Sequence, residues 1–284
     1  MKTGHRRSAA SLFIFFLLLL PAVNIYGWGE KGHKIINRKA VDYFPVEMKD
    51  FRVWKDYLGD HASDADIRRY TDKTEAPRHF IDIDFYKEFL AGRMIENKDS
   101  LVSIYGEKTV TKIGILPWAT LDTFNKLVEA FKQRNKDEAL RYASDLGHYV
   151  ADGHQPMHTV MNYNGQLTNQ KGVHARYESD MINRYTQEIE NSFGSCSISE
   201  ISNPLNYIFS YITDANSVCD VLFNADKFAA RQAGTTDSDE YYSLMWFKTK
   251  YITEIQFNKA AQDLAALIYT AWTDAGKPAF SEFK

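Results

Sequence analysis

The stretch Tyr251 to Ala275, YITEIQFNKAAQDLAALIYTAWTDA, decides how the chain is read. Ile252, Ile255, Leu264, Leu267, Ile268 and Ala271 fall at the period that gathers apolar side chains on one helical stripe. Gly276 and Pro278 follow as stop signals, because glycine closes a helix readily and proline cannot continue one. Working back toward the N-terminus, the same period returns. Pro117 opens a helix whose buried stripe is Leu121, Phe124, Leu127, Val128 and Phe131, and Asp137 to about Asp152 makes another. In Glu30 to Phe44 the residues His33, Ile36, Ala40 and Tyr43 share one face before Pro45 ends the segment, so His33 is expected to point inward. Segments near Glu178 to Asn191 and Pro204 to Ala225 also read as helical, while Leu58 to Tyr86 and Met161 to Gly172 read as ordered loops. Strand-like alternation is scarce, and the expected fold is all-α.

The first 27 residues stand apart from this pattern. Lys2, Arg6 and Arg7 precede LFIFFLLLL (Leu12 to Leu20), an apolar run too short to span a bilayer comfortably. PAVNIYG follows, with Ile25 and Gly27 at the positions a signal peptidase inspects. A signal peptide over residues 1–27 is therefore expected, with a secreted or periplasmic product beginning at Trp28. Residues 28–284 then form one α-helical domain of 257 residues, undivided by any Pro/Gly/Ser-rich linker or internal repeat. Loss of the leader removes three basic and no acidic residues and moves the formal net charge from −3 to −6, which argues against a general polyanion-binding surface. Only Cys196 and Cys219 are present, and export favours a single disulfide over two unpaired thiols.

Histidine is unevenly placed. Seven lie between His33 and His174, and none in the last 110 residues. His148 and Asp152 are four apart on a helix and project from one face, the geometry for gripping one cation, although the pair alone is a weak signal. HYVADGHQPMH adds His158 ten residues after His148, with Pro156 turning the chain between them, and GVHARYES repeats the spacing as His174 and Glu178. Two such pairs and a third imidazole are hard to explain as packing. Imidazole and carboxylate without thiolate suit zinc in an exported catalytic site. His154 reads as an imidazole that orients its neighbours, His61 as a loop residue, and Asn162, Tyr163 and Asn164 as a turn.

WGEKGH, DADIR, RHFID, HYVADGHQPMH and HARYE, in that order, resemble the ligand series of the zinc-dependent phospholipase C and single-strand-specific zinc nuclease superfamily. The matches span Trp28 to Glu178, just over half of the chain after the leader. The resemblance implies three zinc ions. Asp66, His79, His148 and Asp152 would hold the first, and His158, His174 and Glu178 the second. Trp28, through its amino nitrogen and carbonyl oxygen, would hold the third with His33 and with Asp152 as a bridge. A free α-amine and its adjacent carbonyl close a five-membered chelate, so the leader must be removed first. Asp64–Ala65–Asp66 stands where the nucleases usually show Trp-Ala-Asp, making Asp66 the better ligand and Asp64 the alternative. The His–Glu closing pair is phospholipase-like, whereas the short Trp28–His33 spacing is nuclease-like.

The expected function is zinc-dependent phosphodiester hydrolysis of the phospholipase C type, with zinc lowering the pKa of water to near ~7 and Asp66 as a proton acceptor. A single-strand nuclease or 3′-nucleotidase is the alternative. Expected partners are a phosphodiester substrate, a phospholipid head group or a nucleotide, with transient contact to a membrane surface, no stable nucleic-acid partner, and a monomeric state. A non-catalytic zinc-binding protein is disfavoured, since structural zinc sites are typically closed and rich in cysteine. A di-iron bundle is disfavoured too, since only Glu30 to His33 supplies Glu-x-x-His.

Overall fold

The computed structural model describes residues 28–284, and the leader expected over residues 1–27 lies outside the described residues. Six helices of fourteen or more residues carry the fold among them: α1 (Gly29–Asp42), α2 (Leu116–Gln133), α3 (Lys136–Gly153), α4 (Pro204–Ser217), α5 (Cys219–Ala233) and α6 (Asp239–Asp274). No strand forms among the described residues, and the protein is all-α.

Local chemistry sets the helix ends. The Ser238 hydroxyl accepts the Tyr241 N–H and starts α6 well before Tyr251. Its buried stripe runs through Met245, Thr249, Thr253, Phe257, Leu264, Ile268 and Ala271, while Ile252 and Ile255 flank it, half-buried. Asn135 caps α3 by accepting the Glu138 N–H at 3.1 Å, and Asn203 caps α4 from Asn206. Pro117 sits in the first turn of α2, where no N–H is needed.

Two expected helices are broken. Pro204 to Ala225 divides into α4 and α5 around Val218. Both sides of the break are pinned to one turn: Asn216 Nδ2 donates to the Thr159 carbonyl at 2.8 Å, and the Cys219 thiol donates to the Pro156 carbonyl at 3.2 Å. Glu178 to Asn191 becomes a π-helical turn, Arg176–Met181, then Ile182–Arg184, then Thr186–Ser192 after a break at Tyr185. Leu58 to Tyr86 is a series of single turns, including Asp64–Arg68, Ala76–His79 and Ile83–Phe85. The favoured disulfide does not form. Cys196 and Cys219 are free thiols, the second buried against Pro156.

Helix α6 packs against α1, α2, α3 and α5, and α3 also meets α1, α2 and α4. As a result α3 is buried continuously from Ala143 to Gly153. Its Leu146, Val150 and Ala151 join the larger apolar core with Phe131, Phe257 and Leu264. Tyr149 turns to a smaller core of Ile81, Ile83, Tyr86, Leu116 and Ile212. Polar residues on α3 therefore sit between two cores, away from water. None of the described helices is long and apolar enough to cross a membrane.

The approach of α1 to α3 is set by Gly147. Asn37 of α1 spans the gap, donating to the Leu58 carbonyl at 3.0 Å and the Ser144 carbonyl at 3.2 Å. A Cβ at Gly147 would stand 2.6 Å from Asn37 Cγ. Gly147→Ala is expected to displace Asn37 and cost about 2–3 kcal/mol, combining overpacking with a lost buried hydrogen bond. Urea unfolding checks this, and a wild-type midpoint for the variant would show that the two helices separate without cost.

Candidate metal centre

Burial of α3 brings His148 and Asp152 into a space with almost no solvent, and four other segments close around them. His148 donates its Nδ1–H to the Ala62 carbonyl at 2.8 Å, which leaves Nε2 facing Asp152 Oδ2 at 3.2 Å and His79 Nδ1 at 2.9 Å. His79, delivered by the turn Ala76–His79, also faces Asp152 Oδ2 at 3.0 Å. Asp66, on Asp64–Arg68, places Oδ1 at 3.6 Å from His79 Nδ1 and 3.8 Å from His148 Nε2. His33 of α1 stacks on His148, ring centroids 4.0 Å apart, with its Nε2 at 3.5 Å from Asp152 Oδ1.

A second group lies beside the first. His158 donates its Nδ1–H to the His79 carbonyl at 2.7 Å, and His174 donates its own to the Tyr163 carbonyl at 3.2 Å. Their Nε2 atoms then face each other at 3.2 Å. Glu178, from the π-helical turn, brings Oε2 to 2.7 Å from His174 Nε2 and 3.5 Å from His158 Nε2. Gln155 Nε2 donates to the same oxygen at 2.9 Å and holds it in place. Asp152 Oδ1, 3.4 Å from His158 Nδ1, links the two groups.

All eight side chains expected as ligands fall in three sets whose ligand atoms lie within 4.8 Å of one another: His33, Asp66 and His148; His79, His148 and Asp152; His158, His174 and Glu178. His33 is thus grouped with Asp66 and His148, and its Nε2 also lies 3.5 Å from Oδ1 of Asp152, the expected bridge. Trp28 caps α1 just over one turn before His33, buried with its ring against Tyr177 and Phe257. Asp64 is elsewhere: half exposed, it accepts from His61 Nδ1 at 2.8 Å, whereas Asp66 is fully buried. His154 is buried between Gln256 at 3.1 Å and Asp263 at 2.9 Å and stacks on Tyr211, so it braces α3 against α6.

The donor set fits divalent cations. Once their Nδ1 atoms donate to carbonyls, His158 and His174 each aim an Nε2 lone pair at the other, an arrangement that asks for a shared cation or proton. Both ring nitrogens of His33 and Oδ1 of Asp152 are buried with no hydrogen-bond partner, and so are both Asp66 oxygens, although Oδ1 lies 2.8 Å from Arg69 Nη2 as an ion pair. Orphaned buried groups of this kind are costly unless a ligand satisfies them. Burial lowers His148 and His158, but Asp152 with Asp66 and Asp152 with Glu178, respectively, outweigh it and lift each to about 9. Burial raises Asp152, yet His148 and His158 hold it well below the carboxylate range. Burial and His148 together hold His33 well below its ordinary value.

Sequence reading passed over the support behind these groups. Glu75, four residues before His79, has Oε1 3.4 Å from His79 Nε2 and accepts the Tyr149 hydroxyl. Burial raises Glu75, but the facing His79 ring, the Tyr149 hydroxyl and the charge of Arg68 hold it down at about 2. The i, i+4 spacing in EAPRH was the available signal. A cleft of about 380 Å³ opens onto the histidines, lined by Arg69, Phe80, Asp82, Lys112, Met157, Tyr163 and the rings of His79, His158 and His174. Compared with known proteins, the chain matches no family model and no curated protein.

Two outcomes are expected on adding metal. Because His148 and His158 carry protons up to about pH 9 in the metal-free protein, binding at neutral pH should expel them, so affinity should rise with pH below that value. Calorimetry in buffers of different ionisation enthalpy reads the released protons, and zero release at pH 7 would contradict it. His174→Ala should empty the His158–Glu178 group alone, lowering bound metal by one ion per chain in elemental analysis.

Proposed function

We propose that this chain is an exported zinc-dependent phosphodiesterase of the phospholipase C type, a member of the zinc phospholipase C and zinc nuclease superfamily. One observation carries the reading: three sets of buried imidazoles and carboxylates converge, and two of them reach, through His79, His158 and His174, a cleft large enough for one head group. The order of the five sequence motifs supports it.

In this reading Asp66, His79, His148 and Asp152 hold one zinc ion, His158, His174 and Glu178 a second, and Trp28 with His33 and Asp152 a third. Bound zinc supplies Lewis acidity and a water-derived nucleophile at neutral pH. The protein's own groups do the remaining work. Arg69 and Lys112 on the cleft wall neutralise the phosphodiester anion. Asp66 accepts the proton that the attacking water loses, its carboxylate fixed by Arg69 at 2.8 Å. Phe80 and Tyr163, backed by the buried Met157, present apolar surface to the rest of the substrate and exclude water from it.

A phospholipid is favoured over nucleic acid by three features. The cleft is the size of a head group, the formal charge is negative, and the loop after His158 exposes Met161, Tyr163 and Leu167 toward solvent, where they can touch a lipid surface. Single-strand nuclease or 3′-nucleotidase activity is the second reading, supported by the short Trp28–His33 spacing and by Phe80 and Tyr163, whose rings could stack on a base.

Assays on short-chain phosphatidylcholine, single-stranded DNA and a 3′-nucleotide separate the two. Hydrolysis of phosphatidylcholine is expected, lost with chelator and reduced at least about 1,000-fold in His148→Ala, on the scale of removing a principal stabilising group. Turnover of DNA or nucleotide alone would transfer the assignment to the nuclease reading, and turnover that survives complete metal removal would end both.

The terminal chelate is tested separately. Trp28 holds φ at 23°, a region that non-glycine residues seldom occupy, and Gly29 packs against Glu178 and Ser179. Protein beginning at Trp28 is expected to carry one more tightly held zinc per chain than the same protein with one added Gly, because an amide nitrogen is a poor ligand. Equal zinc content and equal turnover in the two forms, their termini verified by mass spectrometry, would remove Trp28 from the ligand set.

A further inference from the structure

One imidazole in the cluster is turned the other way. His148, His158 and His174 each donate Nδ1–H to a backbone carbonyl and aim Nε2 inward. His79 instead aims Nδ1 at Asp152 Oδ2 and His148 Nε2, at 3.0 and 2.9 Å, with Nε2 on the outer side. That outer nitrogen has no partner within hydrogen-bonding geometry. What faces it is the carboxylate of Glu75, at 3.4 Å and placed for ion pairing.

Glu75 is buried, at 5% exposure, and is braced from behind. Tyr149 donates its hydroxyl to Oε1, Arg68 Nε approaches Oε2 at 3.4 Å, and Arg78 Nε lies 3.7 Å from Oε1 while donating to the Tyr149 hydroxyl at 3.0 Å. Arg68 is itself tied to Asp145 at 2.9 Å. Two arginines beside one carboxylate keep it an acceptor, so its free lone pairs demand an N–H from the imidazole. Packing alone does not require a charge here, because a buried ion pair stabilises a fold little more than well-packed apolar groups do.

We propose that Glu75 is a positioning residue, which holds His79 as the Nε2–H tautomer so that the Nδ1 lone pair points at the metal group. The inference rests on the metal-binding reading above. A carboxylate behind a ligating imidazole fixes ring orientation and raises ligand basicity, and its loss typically costs metal affinity 10- to 100-fold. Arg68, Arg78 and the Tyr149 hydroxyl act on His79 through Glu75, while the Tyr149 ring stands edge-on to His79 with centroids 5.6 Å apart, a contact that Tyr149→Phe keeps.

The experiment compares wild type, Glu75→Gln and Tyr149→Phe by zinc titration against a chromophoric chelator, together with urea unfolding of each metal-free protein. Glu75→Gln should lose roughly 10- to 100-fold in affinity for one zinc per chain, with the other ions retained and the metal-free midpoint near wild type. Tyr149→Phe, which keeps the carboxylate, should lose less than about one tenth of that factor. In zinc-loaded wild type, long-range proton–nitrogen correlation should show Nε2–H for His79 and Nδ1–H for His148, His158 and His174. An Nδ1–H tautomer at His79, or wild-type zinc affinity in Glu75→Gln, would overturn the assignment while leaving the metal centre intact. Equal losses in the two variants, tracking the metal-free midpoint, would reduce Glu75 to a packing role. Wild-type protein that binds no zinc would remove the metal reading and this assignment with it.

Discussion

A carboxylate with no exposure to water has to find its positive charge inside the protein, and Asp152 finds it in imidazoles. His33, His79, His148 and His158 approach its two oxygens within 3.5 Å. Desolvating an isolated carboxylate is prohibitively costly, so these partners and whatever cation they share are a condition of burying α3 at all. That burial in turn sets the architecture: α1, α2, α4 and α6 all pack on α3, and the two apolar cores lie on either side of it.

The same constraint orders segments that have little regular structure. For His148, His158 and His174 the outward nitrogen is occupied by a backbone carbonyl, of Ala62, His79 and Tyr163 respectively. Those carbonyls belong to the turns around Leu58 to Tyr86 and to the stretch from Met161 to Gly172. A second tie anchors the latter stretch, since Gln170 and Arg176 both reach the buried carboxylate of Asp226 on α5. Beside the apolar contacts of Ile81, Ile83 and Tyr86, these loops are thereby tied to the centre by hydrogen bonds that also choose which imidazole nitrogen faces inward.

Stability and function pull on this centre in opposite directions. Orphaned nitrogens at His33 and oxygens at Asp66 and Asp152 destabilise the metal-free chain, and helix packing elsewhere offsets that cost. Any cation that satisfies them binds the folded state selectively and stabilises it by mass action. On the cleft side the wall changes character: Arg69 and Lys112 bring basic groups beside the carboxyl of Asp82, and Phe80 and Tyr163 provide apolar surface. One opening thus combines a polar floor, a wall with two basic side chains and an apolar edge, features suited to an anion carrying an apolar group.

Much of this was legible in the chain alone. The period of Leu264, Leu267, Ile268 and Ala271 determined a helix and the all-α class, since side-chain direction along a helix is a local property. The i, i+4 pairs His148–Asp152 and His174–Glu178 were local for the same reason. What sequence could not decide depended on distance through space. The break at Val218 follows from bonds to Thr159 and Pro156, some sixty positions away. The choice of Asp66 over Asp64 follows from burial, because one faces the histidines and the other pairs with His61 at the surface. The cysteines stay apart because Cys219 lies buried against the Pro156 carbonyl. Ile252 and Ile255 yield the stripe to Thr253 and Phe257 because that face of α6 meets the Tyr177 hydroxyl and the Trp28 ring. The inverted ring of His79 is likewise tertiary: either imidazole nitrogen can serve as a ligand, and the packed positions of Glu75, Asp152 and His148 decide which one faces inward.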